Sequence, residues 1–252
     1  MIDPSVLILA ACFFFIALIY ASVGFGGGSS YLALLAQPVF SLLPEVIRPT
    51  ALLCNIIVVT GGAIIFYREK KIVWKEVWPF LVASVPMAYL GGLMRLEQRT
   101  FFIVLGITLV VASVFLWIRP EKIKTGDGRF NTTGVNMFLG SGIGFLSGLV
   151  SIGGGIFLSP ILHLLKWSEA KKISALASLF ILVNSISGLA GQFKRGVPEI
   201  HGYFLAPLLF AVFIGGQIGS RLGARKFNPV YIRRITAALI LMAGLNILKD
   251  HL

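Results

Sequence analysis

Long apolar runs alternate with short polar segments along the whole chain. Hydropathy predicts apolar segments at residues 5–23, 31–43, 50–66, 77–94, 100–118, 133–150, 156–165, 173–193, 203–220 and 231–248. Most of them are about 15 to 22 residues long, enough to cross a bilayer core of roughly 30 Å or to dip into it. The pattern therefore predicts an all-α polytopic membrane protein with no soluble domain in the gaps.

Two glycine-rich breaks interrupt these runs at matching places. Residues 24–28 read Gly-Phe-Gly-Gly-Gly, and residues 151–155, which begin 127 positions later, read Ser-Ile-Gly-Gly-Gly. The same offset relates Gly61, Ala63, Phe66 and Arg68 to Gly188, Ala190, Phe193 and Arg195. Three consecutive glycines end a helix, and paired interruptions of this kind are typical of transporter binding sites. The sequence predicts a first transmembrane repeat at 1–118, a linker at 119–132 and a second repeat at 133–252.

The distribution of Lys and Arg predicts how the two repeats are related. If each broken run crosses the membrane once, the repeats are parallel and the 22 cations divide evenly between the faces. If each run is a hairpin, the repeats are inverted and 16 cations lie on one face. The other face then keeps Arg48, Arg95, Arg99, Lys194, Arg195 and Lys249. The positive-inside rule favours this asymmetric arrangement, with both termini outside and the linker cytoplasmic.

Each predicted repeat is therefore a glycine-broken helical hairpin followed by three transmembrane helices. The charge count is the same for a hairpin that crosses fully and for one that turns at mid-depth. The second arms, residues 31–43 and 156–165, span only about 20 and 15 Å at 1.5 Å per residue. These short arms favour re-entrant hairpins whose tips meet from opposite faces.

Composition supports a membrane protein and excludes several classes of function. The chain is 57% hydrophobic and 13% charged, with a mean hydropathy of +0.90. Its net charge of +12 is accounted for by cations in short loops rather than by nucleic acid binding. The histidines and cysteines have no metal-ligand spacing, and no acid at membrane depth accompanies a candidate nucleophile. We expect no enzyme activity, no metal and no cofactor.

The acidic residues point to the charge of the ligand. All ten map to termini, loops or span ends, which disfavours a buried cation site or a carboxylate proton relay. Exposed amides at helix N-termini, with hydroxyls beside them, suit a small anion. The predicted substrate-binding residues are those of the two breaks and the polar side chains of the span that follows each: Gly24, Gly26, Gly27, Gly28, Ser29, Ser30, Thr50, Asn55, Ser151, Gly153, Gly154, Gly155, Ser178 and Asn184, with Ser185 as a further candidate.

Each of these features also has a structural interpretation. Polar side chains in membrane helices commonly hydrogen-bond between helices, and Arg68 and Arg195 fit interface anchors as well as mouths that attract anions. Glycines spaced four residues apart typically let helices approach closely. We assign Gly140, Gly144, Gly148, Gly215, Gly219 and Gly223 to packing of this kind.

The two breaks and residues 177–185, Ala-Ser-Leu-Phe-Ile-Leu-Val-Asn-Ser, resemble the sulfite exporter TauE/SafE family of bacterial and archaeal membrane proteins. The resemblance covers nearly the whole chain, and it implies secondary transport of a sulfur-containing anion, such as sulfite or sulfoacetate, generally outward across the cytoplasmic membrane. Ser151 departs from the repeat, since Gly24 stands at the matching position. Two alternatives remain: an importer of sulfate, thiosulfate or another small anion, and a non-transporting membrane assembly subunit. The sequence does not indicate the oligomeric state.

Overall fold

The computed structural model describes residues 4–22, 24–118, 131–196, 200–222 and 229–252, and within them the chain is all-helical. The first half contains α1 (Pro4–Ser22), α2 (Gly28–Leu35), a 3₁₀ helix (Pro38–Phe40), α3 (Pro44–Arg68), α4 (Trp74–Leu93) and α5 (Gln98–Ile118). The second half contains α6 (Thr133–Val150), α7 (Gly155–Leu164), α8 (Ala170–Phe193), α9 (Gly202–Leu222) and α10 (Pro229–His251). Most of the predicted linker, residues 119–130, lies outside the described part.

Seven helices in the described part of the chain are long and apolar enough to cross a membrane. They are α1, α3, α4, α5, α6, α8 and α9, with 18 to 25 residues each. This confirms a polytopic membrane protein. The last predicted span, 231–248, is helical in α10, but α10 is not among these seven.

Two predicted boundaries are wrong, both in the first half. The arm predicted at 31–43 is helical only to Leu35, because Pro38 lacks the N–H that a continuing helix needs and starts a 3₁₀ turn instead. The span predicted to begin at Thr50 begins at Pro44, where proline at the first position and Glu45 in the first turn suit a helix start. Arg48, which we expected in a loop, consequently lies inside α3.

Glycines allow helices of opposite halves to pack closely side by side. A Cβ added at Gly144 would come within 2.7 Å of Ser84, and one at Gly148 would overlap the backbone of Ala88, so α6 runs parallel to α4. The same close approach is made by Gly140 against α4 and by Gly215 and Gly219 against α1. These contacts confirm the packing assignment, except for Gly223, which lies outside the described residues.

Two pairs of helices at corresponding positions of the halves, α3 with α8 and α5 with α10, run antiparallel. Gly62 of α3 faces Ser178 near the start of α8, whereas Gly188 near the end of α8 faces Leu52. Likewise Arg99 at the start of α5 donates from Nε to the carbonyl of His251 at the end of α10, at 3.0 Å. α3 and α5 of the first half thus point in the opposite direction to α8 and α10 of the second half.

The short helices α2 and α7 fold back from the breaks. The rings of Tyr31 in α2 and Phe13 in α1 stack with centroids 4.6 Å apart, and Gly27 faces Ile16. At 8 and 10 residues, α2 and α7 are about 12 and 15 Å long. The tips of the two hairpins meet, since a Cβ added at Gly28 would lie 2.6 Å from the carbonyl oxygen of Ile152.

Candidate functional site

The two breaks have matching backbone conformations at the positions that the offset of 127 relates. Gly24 and Ser151 have φ of +83° and +67°, and Gly27 and Gly154 have φ of +88° and +81°. Left-handed conformations are easy for glycine and unfavourable for other residues. Ser151 therefore adopts the conformation of Gly24 although it carries a side chain, and something must stabilise it there.

Several backbone amides of the breaks have no hydrogen-bond acceptor in the described part of the chain. They are the amides of Gly26, Gly27, Gly28 and Ser29 in the first break and of residues 152–156 in the second. All of these residues are buried. They lie at the N-termini of α2 and α7, which carry the positive ends of the helix dipoles. Two sets of unpaired donors are thus brought together where the tips meet.

Asn55 joins both breaks to the middle of α3. Its Nδ2 donates to the carbonyl of Ile152 at 3.0 Å, and its Oδ1 is buried without a partner. Its side chain also lies directly against Gly26, Gly28 and Gly153, where a Cβ on any of the three would overlap it. Asn55 is fully buried and contacts both breaks where their tips meet.

Serines of α8 contact the breaks from the other side. The hydroxyl of Ser178 donates to the carbonyl of Gly24 at 2.8 Å. The hydroxyl of Ser185 lies beside Gly153 and has no partner among the described residues. Both side chains are fully buried. The second half therefore contributes hydroxyls where the first half contributes Asn55.

Two other predicted side chains bond within their own helices. Thr50 donates to the carbonyl of Val46 at 2.7 Å, and Asn184 donates from Nδ2 to the carbonyl of Phe180 at 2.8 Å. Both are fully buried, and Oδ1 of Asn184 has no partner. Their roles in a binding site stay predictions.

The remaining predicted residues lie along the hairpin arms. Ser30 shares a 2.7 Å hydrogen bond with the hydroxyl of Tyr20 in α1, and Ser29 is buried in the first turn of α2. Gly155 faces Ile181 of α8, whose side chain a Cβ would overlap. These residues pack the hairpins onto their neighbours.

Sequence reasoning missed two side chains that bond Ser151. Nε of Arg48 and Nε2 of Gln192 donate to its hydroxyl at 3.3 and 2.9 Å. Arg48 also donates to the carbonyls of Met94 and Gly148, each at 3.3 Å. The exposed fraction of Arg48 is 6%, and that of Gln192 is 7%. These bonds hold the left-handed Ser151 in place.

A spacing of seven residues from a predicted polar side chain could have identified both Arg48 and Gln192. Once α3 begins at Pro44, Arg48 falls seven residues before Asn55, on the same helix face. In α8, Ser185 and Gln192 are also seven residues apart. Following the polar face of each span to its end would have found Arg48 and Gln192.

Positive charge collects at the end of the molecule where Arg48 lies. Arg195 donates to the carbonyl of Gly92 at 3.0 Å, and Arg95 lies 3.6 Å from the half-exposed carboxylate of Glu45. Partial burial and the charge of Arg95 lower the pKa of Arg195, against the opposing effect of Glu45. The field at this end is therefore positive despite the ion pair between Arg95 and Glu45.

The described carboxylates lie at helix ends, away from the breaks. Glu45 and Glu76 are in the first turns of α3 and α4, and Glu169 precedes α8. Four of the ten acidic residues lie outside the described part: Asp3, Glu121, Asp127 and Glu199. No carboxylate of the described residues is buried.

Known proteins resemble this chain over nearly its whole length. The model of the sulfite exporter TauE/SafE family matches residues 9–247. The probable membrane transporter protein y4hK of Sinorhizobium fredii is 34% identical over 251 residues, which cover 98% of this chain and 99% of that protein. The probable membrane transporter protein YjnA of Bacillus subtilis is 26% identical, with 93% and 96% covered.

A probable membrane transporter protein of Methanocaldococcus jannaschii is 24% identical, with 93% of this chain and 92% of that protein covered. No solved structure matches the chain. The family match extends from α1 to α10 and includes both glycine breaks. The protein belongs to the TauE/SafE family of membrane transporters.

Proposed function

We propose that the protein is a secondary transporter that exports a small sulfur-containing anion, sulfite or an organosulfonate such as sulfoacetate, across the cytoplasmic membrane. The anion binds where the two glycine breaks meet and crosses by alternating access. The observation that carries this proposal is the set of unpaired, buried amides at the N-termini of α2 and α7.

The chemistry of these groups favours an anion. A buried donor without an acceptor destabilises the fold by about 1 to 3 kcal/mol, so a ligand with several acceptor oxygens is strongly favoured there. The helix dipoles add positive potential, and the hydroxyl of Ser185 adds a donor. No described carboxylate is buried nearby to repel a negative charge.

The transporter is built from two inverted repeats, with both termini outside and the linker in the cytoplasm. The antiparallel pairs α3–α8 and α5–α10 support inversion, because the halves then point in opposite directions. The division of the cations into 16 and 6 supports the orientation. The lengths of α2 and α7 support re-entrant hairpins, since neither spans roughly 30 Å.

Alternating access requires a rearrangement around the breaks. Their backbone is buried in this conformation, so each face gains access only when packed elements separate. The pairs α1–α9 and α4–α6 each join helices of opposite halves through glycine contacts. A rocking motion that keeps these pairs intact opens one hairpin tip at a time.

The substrate class is tested by the thermal unfolding of the purified protein with sulfite, sulfoacetate, sulfate, thiosulfate and simple carboxylates. Sulfite or sulfoacetate is expected to raise the unfolding temperature most, because a ligand that binds the folded state stabilises it. A response to none of them would contradict transport and favour an assembly role. Inward flux of sulfate or thiosulfate in cells would contradict export.

A further inference from the structure

The geometry points to a second oxyanion site at Arg48, on one side of the glycine breaks only, where the transported anion is held by the guanidinium before or after it occupies the amides. This inference rests on the proposed function, and it adds a further binding residue on one side of the breaks. Arg48 lies in the second turn of α3, and its exposed fraction is 6%.

Arg48 is a buried charge without a described ionic partner. A buried charge is normally paired with an opposite one, because leaving water is otherwise very unfavourable. Its three acceptors are all neutral: Ser151 Oγ, Met94 O and Gly148 O. Each distance is 3.3 Å, longer than the 2.7 to 2.9 Å typical of charge-assisted bonds to carboxylates. The ring of Phe101 also lies against the guanidinium, 5.9 Å from Cζ to the ring centroid, but no described carboxylate forms an ion pair with Arg48.

The guanidinium also has donors to spare. Of its five N–H groups, three make the bonds to neutral oxygens, one from each nitrogen. One N–H remains on each terminal nitrogen, so the guanidinium has two further donors for an oxyanion that reaches it. A trigonal or tetrahedral oxyanion of sulfur has the oxygens to accept both.

The surroundings guide an anion towards Arg48. Arg95 and Arg195 lie at the same end of the molecule, and the one described carboxylate that acts on the group, Glu45, already contacts Arg95. Arg48 touches Ser151 at the start of the second break. An anion that passes between the guanidinium and the amides of residues 152–156 therefore stays near positive charge.

The opposite side of the breaks lacks this feature. The position that corresponds to Arg48 in the second half is Ala175, which is fully buried. There the corresponding residue of the first break, Gly24, faces Phe66 and Ser174 and accepts from Ser178. Arg48 is the one buried Lys or Arg among the residues whose side chains the structure describes. The two directions of access are thus electrostatically unequal.

The test is a titration of purified protein with sodium sulfite at constant chloride, comparing Arg48→Gln with Arg95→Gln. Both variants remove one positive charge from the same end, but Arg95 is exposed and paired with Glu45, so its field is screened more. Arg48→Lys, which keeps the charge at the buried position, therefore separates direct contact from a field effect. Direct binding predicts that Arg48→Gln raises the Kd by about tenfold or more and Arg95→Gln by less than about threefold. Equal effects of the two substitutions would overturn the site at Arg48.

Two further measurements keep the outcome decisive. Arg48→Lys retains the charge but not the two terminal nitrogens of the guanidinium, so an intermediate Kd is expected; it replaces Arg48→Gln if that variant does not fold. If every Arg48 variant that folds, including Arg48→Lys, has the wild-type Kd for sulfite, the site at Arg48 is contradicted. If wild-type protein binds no sulfite, the proposed function fails. If wild-type protein binds sulfite and the folded Arg48 variants bind it with the same Kd, this inference fails alone.

Discussion

At the scale of single residues, Asn55 and Ser151 decide how the breaks are held. Asn55 contacts both breaks from α3, and Ser151 keeps a left-handed backbone while its hydroxyl accepts from Arg48 and Gln192. Both residues are fully buried. Removing the amide of Asn55 or the hydroxyl of Ser151 therefore leaves a buried polar group without its hydrogen-bond partner. Each side chain therefore makes a separate, measurable contribution.

Asn55→Leu is expected to lower the free energy of unfolding by about 1 to 3 kcal/mol, because the carbonyl of Ile152 loses its donor. Thermal unfolding in detergent measures the change. Asn246, which is exposed on α10, is the control, and Asn246→Leu should stay within about 0.5 kcal/mol of wild type. Equal stability of both variants would show that Asn55 does not hold the second break.

Ser151→Gly isolates the hydroxyl, because glycine accepts the left-handed backbone without strain. We expect a net loss of about 1 kcal/mol, since the unpaired donors of Arg48 and Gln192 outweigh the relief of strain. Ser41 is the matched control: it is left-handed too, but exposed. Ser41→Gly should be neutral or stabilising, and the same result for Ser151→Gly would refute the role of its hydroxyl.

At the scale of elements, the glycine faces of α6 and α9 set the distances between helices of opposite halves. A Cβ at Gly148 would overlap the backbone of Ala88, which cannot move without shifting α4. Gly142, in the same helix, has nothing within 4 Å of an added Cβ. Comparing alanine substitutions at Gly148 and Gly142 therefore separates the effect of helix packing on stability from the effect of helix propensity.

Gly148→Ala is expected to destabilise the protein by about 1 to 3 kcal/mol, as overpacking usually does. Gly142→Ala should be neutral or slightly stabilising, because alanine favours the helix and meets no neighbour. Thermal unfolding of both variants in the same detergent makes the comparison. Similar unfolding temperatures would contradict the close α4–α6 contact.

The sequence predicted the long helices and both breaks because each has a strong local signal. Apolar runs identified the spans, and three consecutive glycines identified the helix ends at residues 26–28 and 153–155. Hydropathy alone missed the start of α3, since it does not register the proline and acidic residue that begin a helix. Arg48 was missed for that reason. Its burial depends on contacts with α4 and α6, about 46 and 100 positions along the chain.

At the scale of the whole molecule, the two halves interlock. α1 packs on α9, α4 packs on α6, and the tips of both hairpins meet beside Asn55. Neither half encloses the breaks by itself. The antiparallel pairs α3–α8 and α5–α10, together with the division of the cations, support the proposed inverted arrangement.

The orientation predicts which loops face the cytoplasm. In a background without Cys12 and Cys54, a cysteine at Lys70 should be protected from a membrane-impermeant thiol reagent in intact cells, whereas one at Glu97 should react. Permeabilised cells, in which both positions should react, provide the control. Labelling of both positions, or only of position 70, in intact cells would contradict the orientation.

The central claim is that the amides of the two breaks bind the transported anion, and Gly26→Ala tests it most directly. Gly26 does not have a left-handed φ, so alanine fits the backbone, but its Cβ would overlap Asn55 where the tips meet. Substitutions at Gly27 and Gly154 are harder to interpret, because a side chain at either position would also strain the left-handed backbone.

The measurement is sulfite flux in proteoliposomes containing wild-type protein, Gly26→Ala or Gly142→Ala, each checked for folding by its unfolding temperature. The account predicts wild-type flux for Gly142→Ala and a loss of about tenfold or more for folded Gly26→Ala. Unchanged flux in folded Gly26→Ala would contradict binding at the breaks.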